Sequence, residues 1–488
     1  MDNEYEILAD GIKAKVVIVN DPNDFVPIYR LEYPKIEKAT AALLDSIREK
    51  LVSEMEVSSG QVLDPEEIGS LKEKFLKRSL ELIEQQLPKT SQEKKEILGG
   101  ILLHNSLGLG KIEMLLQDQN LEEIVINNSR EPVWVYSRKA GWLKTNIFVP
   151  SDAEIYNYAA MIGRRVGSQI TYLNPLMDAY LVTGDRSNAT LFPISSKGNT
   201  LTIRKFSRRP WVITDFIELN TVSPQIAAFL WLAIQYEMNI LISGGTASGK
   251  TGLLNVLSCF IPPNQRIITI EDTREIQIPK FLHWVPLTTR PHNPEGKGEV
   301  TMLELLVNSL RMRPDRILVG EMRRGREAEV LFEAIHTGHS VYATLHANTA
   351  EETVRRLINP PINIPMIMLG SLHLVAVMHR DRRRGIRRLI QVSEIASVDV
   401  KSQVQLNDVF GWNPSSDAFY EIERPSRVLN EIEFYTGMSQ PEIKADLKEK
   451  EKILNWLVKQ QIKDINKVGE IISTYYTNKG KVLAMVNK

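Results

Sequence analysis

The spacing of hydrophobic and polar residues divides the chain into stretches that predict different secondary structure. After a short strand-like opening at residues 14–19, residues 34–105 are rich in charge, and their apolar residues recur at helical spacing. The clearest such set is Leu43, Leu44, Ile47 and Leu51. Asp64, Pro65 and Glu67 suit the first turn of a helix as N-cap acceptor, first-turn proline and third-position glutamate. The pattern predicts a small helical region with a short leading strand over residues 1–105.

From about residue 106, short runs of β-forming residues replace the helical spacing. Residues 123–127, 133–136 and 201–204 are predicted to be strands, and residues 151–166 a helix. This mixture predicts an α+β domain over residues 106–212, followed by a linker at 213–222. Strands and helices then alternate, which is typical of a mostly parallel α/β sheet over residues 223–430. Apolar residues at helical spacing predict terminal helices over residues 431–488, packed on the α/β domain.

Composition narrows the class of protein. The 488 residues include 60 basic and 60 acidic side chains, so no net positive field favours nucleic acid. The single cysteine, Cys259, excludes internal disulfides and cysteine-cluster zinc sites. The first residues lack the basic-then-apolar order of a signal peptide, and the most apolar windows, 226–234 and 364–378, fall short of the ~20 residues that span a bilayer. We expect a soluble, cytoplasmic protein for which peripheral membrane association stays open.

The most specific motif is a glycine-rich octapeptide that fits the phosphate-binding pattern GxxxxGK[ST]. A strand-like apolar run at 238–243 precedes it and a helix start at 252–257 follows, whereas an unrelated glycine turn does not require both. Lys250 is predicted to reach the β- and γ-phosphates of a nucleotide, and Thr251 to ligate Mg²⁺. The predicted nucleotide-binding residues are Gly244, Gly245, Thr246, Ala247, Ser248, Gly249, Lys250, Thr251 and Gly252.

Two acidic residues that come after this loop in sequence each end an apolar run typical of a buried strand. Residues 266–272 form an apolar run that ends in Glu271 and Asp272, and Glu271 is the first candidate to deprotonate an attacking water. Residues 316–321 form another run that ends in Glu321, with Gly320 where an Mg²⁺-linked aspartate usually stands. Glu321 is predicted to support Mg²⁺ through water or to share the base role with Glu271. The pattern leaves these two roles open.

A third segment, 337–347, predicts a strand at 340–345 with a histidine at each end. His346 is a candidate to contact a γ-phosphate and sense its loss, although a lone histidine is more often structural. Phosphoryl transfer also needs positive charge, often from an arginine of a neighbouring subunit. Arg186 and Arg204 are candidates, as are three arginines nearer the glycine loop, and the alternative for each is an ordinary surface arginine. Those three are Arg290, Arg311 and Arg313.

A basic cluster at residues 380–388 lies between two β-like runs. Gly385 interrupts it, so a hairpin with a charged, solvated tip is the first interpretation. The alternative is docking to an anionic membrane surface or to an acidic partner.

Taken together, four segments resemble the boxes of the secretion ATPase superfamily in their order along the chain. Residues 244–251 look like its Walker A motif, 269–273 like its Asp box, 313–323 like its atypical Walker B motif and 337–347 like its His box. The glycine before Glu321 is similar to that family's own pattern. The resemblance covers about residues 108–420 and is strongest to archaeal type IV pilus and type II secretion assembly ATPases, relatives of the archaellum motor ATPase. The tetracysteine zinc module of many bacterial members is absent from the sequence.

This resemblance implies a RecA-like P-loop ATPase domain in a homo-hexamer, with ATP and Mg²⁺ bound between it and the preceding α+β domain. It implies that Glu271 and Glu321 are catalytic, that His346 senses the γ-phosphate, and that Arg204 and Arg186 act across the subunit interface. The motor would drive a polytopic membrane platform protein that assembles a pilus or pseudopilus, from the inner face of the cytoplasmic membrane.

Two other functions stay open. A DNA-transport ATPase of the type IV secretion kind shares the boxes and the hexamer, although the balanced charge leads us to expect no nucleic-acid partner. A regulatory scaffold that binds nucleotide without useful turnover is the other, and the presence of both Glu271 and Glu321 argues against it.

Overall fold

The computed structural model describes residues 3–54, 65–137, 140–166, 168–180, 184–206, 209–292, 296–398 and 404–487. The chain divides into two compact units. The first comprises Met1–Arg208 with Asn293–Lys297, and the second comprises Arg209–His292 with Gly298–Lys488. None of the helices in the described ranges is both long and apolar enough to cross a lipid bilayer.

The first unit mixes strands and helices. Its elements are β1 (Asn3–Ala9), β2 (Ile12–Val19), β3 (Ile28–Glu32), α1 (Lys38–Glu54), α2 (Pro65–Gln86), α3 (Gln92–Leu107), α4 (Ile112–Gln117), β4 (Leu121–Ile126), β5 (Trp134–Ser137), β6 (Gly141–Thr145), α5 (Asp152–Arg165), β7 (Leu176–Tyr180), β8 (Arg186–Thr190) and β9 (Thr200–Arg204). Its nine described strands form one sheet in the order β1-β2-β3-β6-β5-β4-β9-β8-β7.

The start of the chain contains more strand than the sequence predicted. One short strand was expected, but β1, β2 and β3 form an antiparallel meander, and β3 then pairs in parallel with β6 through Ile28 and Lys144. Burial alternates along β2, where Ile12, Ala14 and Val16 are buried and the residues between them are not. One face of the meander therefore packs into the core. The predicted helical region is thus joined by its strands to the sheet of the following domain. Asp64, the predicted N-cap of α2, lies outside the described residues.

The second unit is built on alternating strands and helices. Its elements are α6 (Ile213–Glu218), α7 (Pro224–Gln235), β10 (Ile240–Gly244), α8 (Lys250–Ser258), β11 (Ile267–Glu271), β12 (Trp284–Thr288), α9 (Met302–Ser309), β13 (Arg316–Val319), α10 (Gly325–His336), β14 (Ser340–Leu345), α11 (Ala350–Ile358), β15 (Leu374–Asp381), β16 (Ile386–Val398), β17 (Val404–Asn413), β18 (Ala418–Glu421), α12 (Arg427–Thr436), α13 (Gln440–Lys459), α14 (Ile465–Thr477) and α15 (Lys479–Val486). Short 3₁₀ turns at Leu310–Met312 and Met366–Ser371 complete it.

The sheet of the second unit is parallel in its first part and antiparallel at its end. Its described strands run in the order β12-β11-β13-β14-β10-β15-β16-β17-β18, and neighbours are parallel as far as β15. On β10, Ile240 and Ile242 face a core formed with α7, α8 and α13, whereas Leu241 faces a second core formed with α9, α10 and α11. The central strands are therefore covered on both faces, which is why they are continuous apolar runs.

The segment predicted as a linker is a structured part of the second unit. Residues 213–218 form α6, in which Ile213 and Phe216 are buried in the first of these cores together with Val212. The carboxylate of Asp215 accepts a hydrogen bond from the N–H of Val212 at 3.2 Å and caps the helix. The prediction of a linker was wrong for this segment, because its polar residues cap and flank an apolar face that packs inward.

Candidate functional site

The glycine-rich loop joins β10 to α8, as the sequence predicted. Its backbone has positive φ at Gly244 (152°), Ala247 (59°) and Gly249 (98°). A Cβ on Gly244 would lie 2.3 Å from the carbonyl oxygen of Met378 and 2.5 Å from Oγ of Ser248. Only glycine fits at Gly244, because both the dihedral angle and the neighbouring strand exclude a side chain.

Lys250, the first residue of α8, lies folded into this loop and is 8% exposed. Its Nζ donates to the carbonyl oxygens of Gly244 and Gly245, each at 3.1 Å, and lies 3.1 Å from Nδ1 of His346. Burial lowers the pKa of Lys250, and the charge of Glu321 opposes that shift. The ammonium group is thus held by acceptors that a phosphate can replace.

The carboxyl ends of four neighbouring strands carry the predicted site residues. In the order β11, β13, β14 and β10, these strands end at Glu271, just before Glu321, just before His346 and at the glycine loop. Parallel strands present their carboxyl ends at one edge of the sheet, where α/β proteins bind ligands. The fold therefore brings both glutamates, the histidine and the loop to one edge.

Glu271 has a buried carboxylate of which one oxygen is hydrogen-bonded. Glu271 is 2% exposed. Its Oε1 accepts hydrogen bonds from the N–H groups of Glu275 (2.9 Å) and Ile276 (3.0 Å). Among the described residues, Oε2 is buried without a hydrogen-bond partner. Burial raises the pKa of Glu271 to about 7, against the lowering effect of the two N–H groups. This carboxylate can exchange a proton near neutral pH.

His346 connects Lys250 to Glu321. Its Nε2 lies 2.8 Å from Oε1 of Glu321, and its Nδ1 faces the lysine ammonium. Because an ammonium group only donates, we assign Nδ1 as the acceptor and place the ring proton on Nε2, which donates to Glu321. Burial and the charge of Lys250 lower the pKa of His346, so the neutral ring is favoured. The three side chains form one continuous hydrogen-bonded chain.

Comparison with known proteins identifies the family. The sequence profile described as "Type II/IV secretion system protein" matches residues 186–403. The type IV secretion system protein PtlH of Bordetella pertussis is 30% identical over 56% of this chain and 90% of its own length. This chain belongs to the secretion ATPase superfamily. An uncharacterized protein of Methanocaldococcus jannaschii, MJ0900, is 35% identical to this chain over 83% of the chain and 74% of its own length.

Two solved structures are similar to parts of the chain at lower sequence identity. The VirB11 ATPase of Brucella suis is 26% identical, with a TM-score of 0.30 over 58% of this chain and 95% of that one. The pilus retraction motor PilT is 17% identical, with a TM-score of 0.41 over 69% of this chain and 96% of that one. Membership of the superfamily therefore rests on the sequence profile and on the sequence relatives.

One arginine that the sequence analysis did not single out joins two of the boxes. Nη1 of Arg323 lies 2.9 Å from Oδ2 of Asp272, and Nη2 lies 2.8 Å from Oε2 of Glu321. Burial raises the pKa of Glu321, but its bond with Arg323 and the neighbouring positive charges outweigh burial and hold that pKa below its ordinary value. Arg323 follows Glu321 by two residues, and that proximity was the one signal available in the sequence.

The two arginines expected to act between subunits belong to the first unit, whereas the glycine-loop edge lies wholly in the second. Arg186 and Arg204 are directly opposite each other on the paired strands β8 and β9. Arg186 also forms a two-pronged contact with Asp178, Nε to Oδ1 at 3.0 Å and Nη2 to Oδ2 at 2.6 Å. The predicted role of Arg186 and Arg204 across a subunit interface stays a prediction.

The basic cluster at residues 380–388 covers the end of the predicted hairpin, in which β15 and β16 pair as far as Asp381 and Ile386 and residues 382–385 form the tip. Oδ1 of Asp381 accepts from the N–H groups of Arg383 and Arg384, and Gly385 has a φ of 68°. Beyond the tip, Nε of Arg387 donates to the carbonyl oxygen of Ala247 at 3.2 Å. One arginine of the cluster thus supports the glycine loop.

His339 fits a structural role, which was the alternative considered for a lone histidine in this segment. It lies at the other end of β14 from His346, and its Nδ1 lies 3.1 Å from both the carbonyl oxygen of Ala334 and Oγ1 of Thr337. These are local contacts at the end of α10. His339 is therefore separate from the edge that carries the glycine loop.

Proposed function

We propose that this protein hydrolyses Mg²⁺-ATP as a homo-hexameric motor that assembles a pilus or pseudopilus, or drives type II-like secretion, at the cytoplasmic membrane. The observation that carries the proposal is the shared edge of the sheet. There a buried carboxylate with a pKa of about 7 accompanies a glycine loop whose lysine is hydrogen-bonded through His346 to Glu321. A motor needs both parts: a group that promotes hydrolysis and a group that responds to the nucleotide.

Residues 244–252 would bind the phosphates of ATP. Oγ of Ser248 is buried without a hydrogen-bond partner in the described part of the chain, as is expected of a group that awaits a phosphate oxygen. The Thr251 hydroxyl and, through water, Glu321 would hold Mg²⁺, since hydroxyl and carboxylate oxygens are the donors that this ion prefers. Mg²⁺ would supply positive charge against the phosphate oxygens.

Glu271 would act as the general base. Its Oε1 is held by two backbone N–H groups, so Oε2 is the oxygen that can take a proton from the attacking water. A base with a pKa near 7 is largely ionised at slightly alkaline pH and still basic enough to accept that proton. Its burial keeps bulk water away from the reacting group.

His346 would sense the γ-phosphate. When Lys250 turns to a phosphate, His346 loses its donor, and the change reaches Glu321 through the 2.8 Å bond from Nε2. Arg204 and Arg186 would add positive charge from a neighbouring subunit, by analogy with other P-loop NTPases.

The proposed partner is a polytopic membrane platform protein, with the motor bound peripherally at the cytoplasmic face. This part of the proposal rests on membership of the secretion ATPases. The charged hairpin at residues 380–388 offers a candidate contact for anionic lipid.

The test combines Mg²⁺-ATP turnover with native mass, for wild type, Lys250→Ala and Glu271→Gln, with and without anionic phospholipid vesicles. The proposal expects a hexamer with measurable turnover, loss of nucleotide binding in Lys250→Ala, and retained binding without turnover in Glu271→Gln. A monomer that binds nucleotide and never turns it over would instead identify a nucleotide-dependent scaffold.

Transport of DNA by a type IV secretion system is the second candidate. The observation in its favour is a relative from Mycobacterium tuberculosis described as a putative conjugal transfer protein, which is 31% identical over 61% of this chain and 87% of its own length. Binding of duplex or single-stranded DNA would be measured between about 50 and 200 mM salt, because phosphate contacts weaken steeply over that range. Tight, strongly salt-dependent binding would favour DNA transport, and its absence in the active hexamer would favour filament assembly.

A further inference from the structure

The position of Glu271 depends on the loop that follows β11. Its Oε1 is held by the backbone N–H groups of Glu275 and Ile276, not by a side chain. Ile276 and Ile278 are buried in the core shared with α7 and α8 and anchor this loop from the inside. Any displacement of the loop backbone would therefore move the carboxylate or break its two hydrogen bonds.

One side chain ties this loop to the helix of the glycine loop. Oδ1 of Asn255 accepts a hydrogen bond from the N–H of Gln277 at 2.6 Å, next to the N–H groups that hold Glu271. Asn255 lies on α8, four residues after Thr251 and therefore on the same face of that helix. It is 4% exposed, and its Nδ2 is 3.4 Å from the carbonyl oxygen of Trp211. Both polar ends of this buried amide are directed to backbone groups.

A second side chain contacts the loop farther along. Oδ1 of Asn466 on α14 accepts from the N–H of Lys280 at 2.9 Å. Lys280 is exposed and lies beyond the buried anchors Ile276 and Ile278. The bond of Asn466 therefore fastens the far end of the loop, whereas that of Asn255 fastens the part that holds the carboxylate.

We propose that Asn255 is a positioning residue for Glu271, and that it sets the distance between the glycine-loop helix and the backbone that holds the base. This rests on the proposed role of Glu271 in ATP hydrolysis. Asn255 does not touch the reacting groups. It acts through Gln277 and the adjacent N–H groups, so its removal changes the alignment of the base more than the binding of the nucleotide.

The test compares full-length Asn255→Ala with Asn255→Asp, which keeps an acceptor for the N–H of Gln277. Both are measured for kcat and KM over pH 5.5–9, for binding of a non-hydrolysable ATP analogue, and for thermal melting. Asn255→Ala is expected to lower kcat by about 10²-fold, since misplacement of a reacting group by about 1 Å has that effect, with KM changed less than about threefold. Asn255→Asp loses the donor to Trp211 and buries a carboxyl group, so it is expected to melt at a lower temperature than wild type but to retain more of kcat than Asn255→Ala does.

The acid limb of the kcat profile distinguishes positioning from general destabilisation. Burial raises the pKa of Glu271 and the two N–H groups lower it, while the charge of Glu275 raises it and that of Arg274 lowers it. Loosening the N–H groups is therefore expected to move the limb of Asn255→Ala to higher pH. A lowered melting temperature with an unmoved limb, or an unchanged kcat, would overturn the proposal.

Two further variants complete the design. Asn466→Ala removes the contact at the far end of the loop and is expected to keep the wild-type limb and a kcat within about threefold of wild type. An equal effect of Asn466→Ala and Asn255→Ala on the limb would also overturn the proposal. Glu271→Gln distinguishes the proposed catalytic role of Glu271 from the positioning role of Asn255. If it is as active as wild type, the proposed catalytic role fails; if it is inactive while Asn255→Ala is normal, only the positioning role fails.

Discussion

Gly320 packs directly against Glu271. A Cβ on Gly320 would lie 3.2 Å from Cγ of Glu271 and 3.5 Å from its Cα. The glycine backbone is held on both sides, because its N–H donates to Ile270 and its carbonyl oxygen accepts from the Thr344 hydroxyl. An aspartate at position 320 would have to share this space with the buried Glu271 carboxylate. The position of Glu271 thus leaves little room for a side chain at residue 320.

Gly320→Ala is therefore expected to displace Glu271 while leaving the fold intact. The added methyl group must push its neighbour by a few tenths of an ångström, an overpacking that costs about 1–3 kcal/mol. We expect kcat to fall by about tenfold or more with little change in nucleotide affinity. Steady-state turnover and urea unfolding measure the two effects.

Gly370→Ala is the matched control, because the nearest atom to its Cβ is 3.9 Å away. It is expected to keep wild-type turnover. Equal losses of activity in both variants would contradict the link between Gly320 and the carboxylate.

Glu271→Gln is expected to stabilise the protein at alkaline pH while removing activity. The folded pKa of about 7 lies above the ordinary value of 4.5, so the folded state binds the proton more tightly than the unfolded state does. Stability contributed by this group is full below about pH 4.5 and is lost as pH rises to 7, about 3 kcal/mol at most. Glutamine does not ionise and keeps an acceptor for the two N–H groups.

The measurement is the free energy of unfolding of both proteins at pH 5 and pH 8. The advantage of Glu271→Gln should be larger at pH 8. For the wild type, kcat should fall about tenfold per pH unit below pH 7, because the base must be ionised. An advantage that is the same at both pH values would show that Glu271 titrates near its ordinary pKa.

His346→Ala is expected to uncouple Lys250 from Glu321. Lys250 keeps its bonds to two loop carbonyls and Glu321 keeps Arg323, so the edge should stay folded. We expect kcat to fall at least about tenfold, while ATP affinity changes less than about threefold. Turnover and equilibrium nucleotide binding separate the two effects.

His339→Ala removes the histidine at the opposite end of the same strand, where its contacts are local. It should retain wild-type turnover. If both histidine variants behave alike, the role assigned to His346 is not supported.

Arg323→Ala is expected to alter Glu321 more than it alters stability. The Arg323 side chain is 59% exposed, so loss of its two ion pairs should change the free energy of unfolding by less than about 1 kcal/mol. The pKa of Glu321 should rise towards its ordinary value, because the bond from Arg323 is the main influence that lowers it. Turnover should therefore weaken most at acidic pH.

Arg324→Ala, at the adjacent exposed position, is the control for this prediction. It removes one positive charge without removing the contacts to Asp272 and Glu321. A pH profile of Arg323→Ala that matches the Arg324→Ala profile would refute the link to Glu321.

Several elements could be predicted because their signals are local. Ser151 caps α5 by accepting from the N–H of Glu154, and the predicted helix at residues 151–166 differs from α5 by one residue at each end. The strands before Glu321 and His346 were predicted because buried parallel strands are continuous apolar runs. The hairpin tip at Gly385 follows in the same way from a turn residue between two β-like runs.

Other elements could not be predicted, since their partners are distant in sequence. Strand β3 has a partner in β6 more than a hundred residues away, and nothing in residues 28–32 alone announces that pairing. The buried face of α6 depends on the core around Trp231 and Phe229, which its short polar-flanked sequence does not reveal.

The sequence by itself determined that this protein has a glycine loop on a parallel α/β sheet and that Glu271, Glu321 and His346 follow buried strands. Each of these features is specified by a few consecutive residues. Only the tertiary structure decided that Lys250 meets Glu321 through His346, and that Asn255 fastens the loop that holds Glu271. Those contacts depend on the order of strands in the sheet and on how far α8 lies from it, and long-range packing sets both.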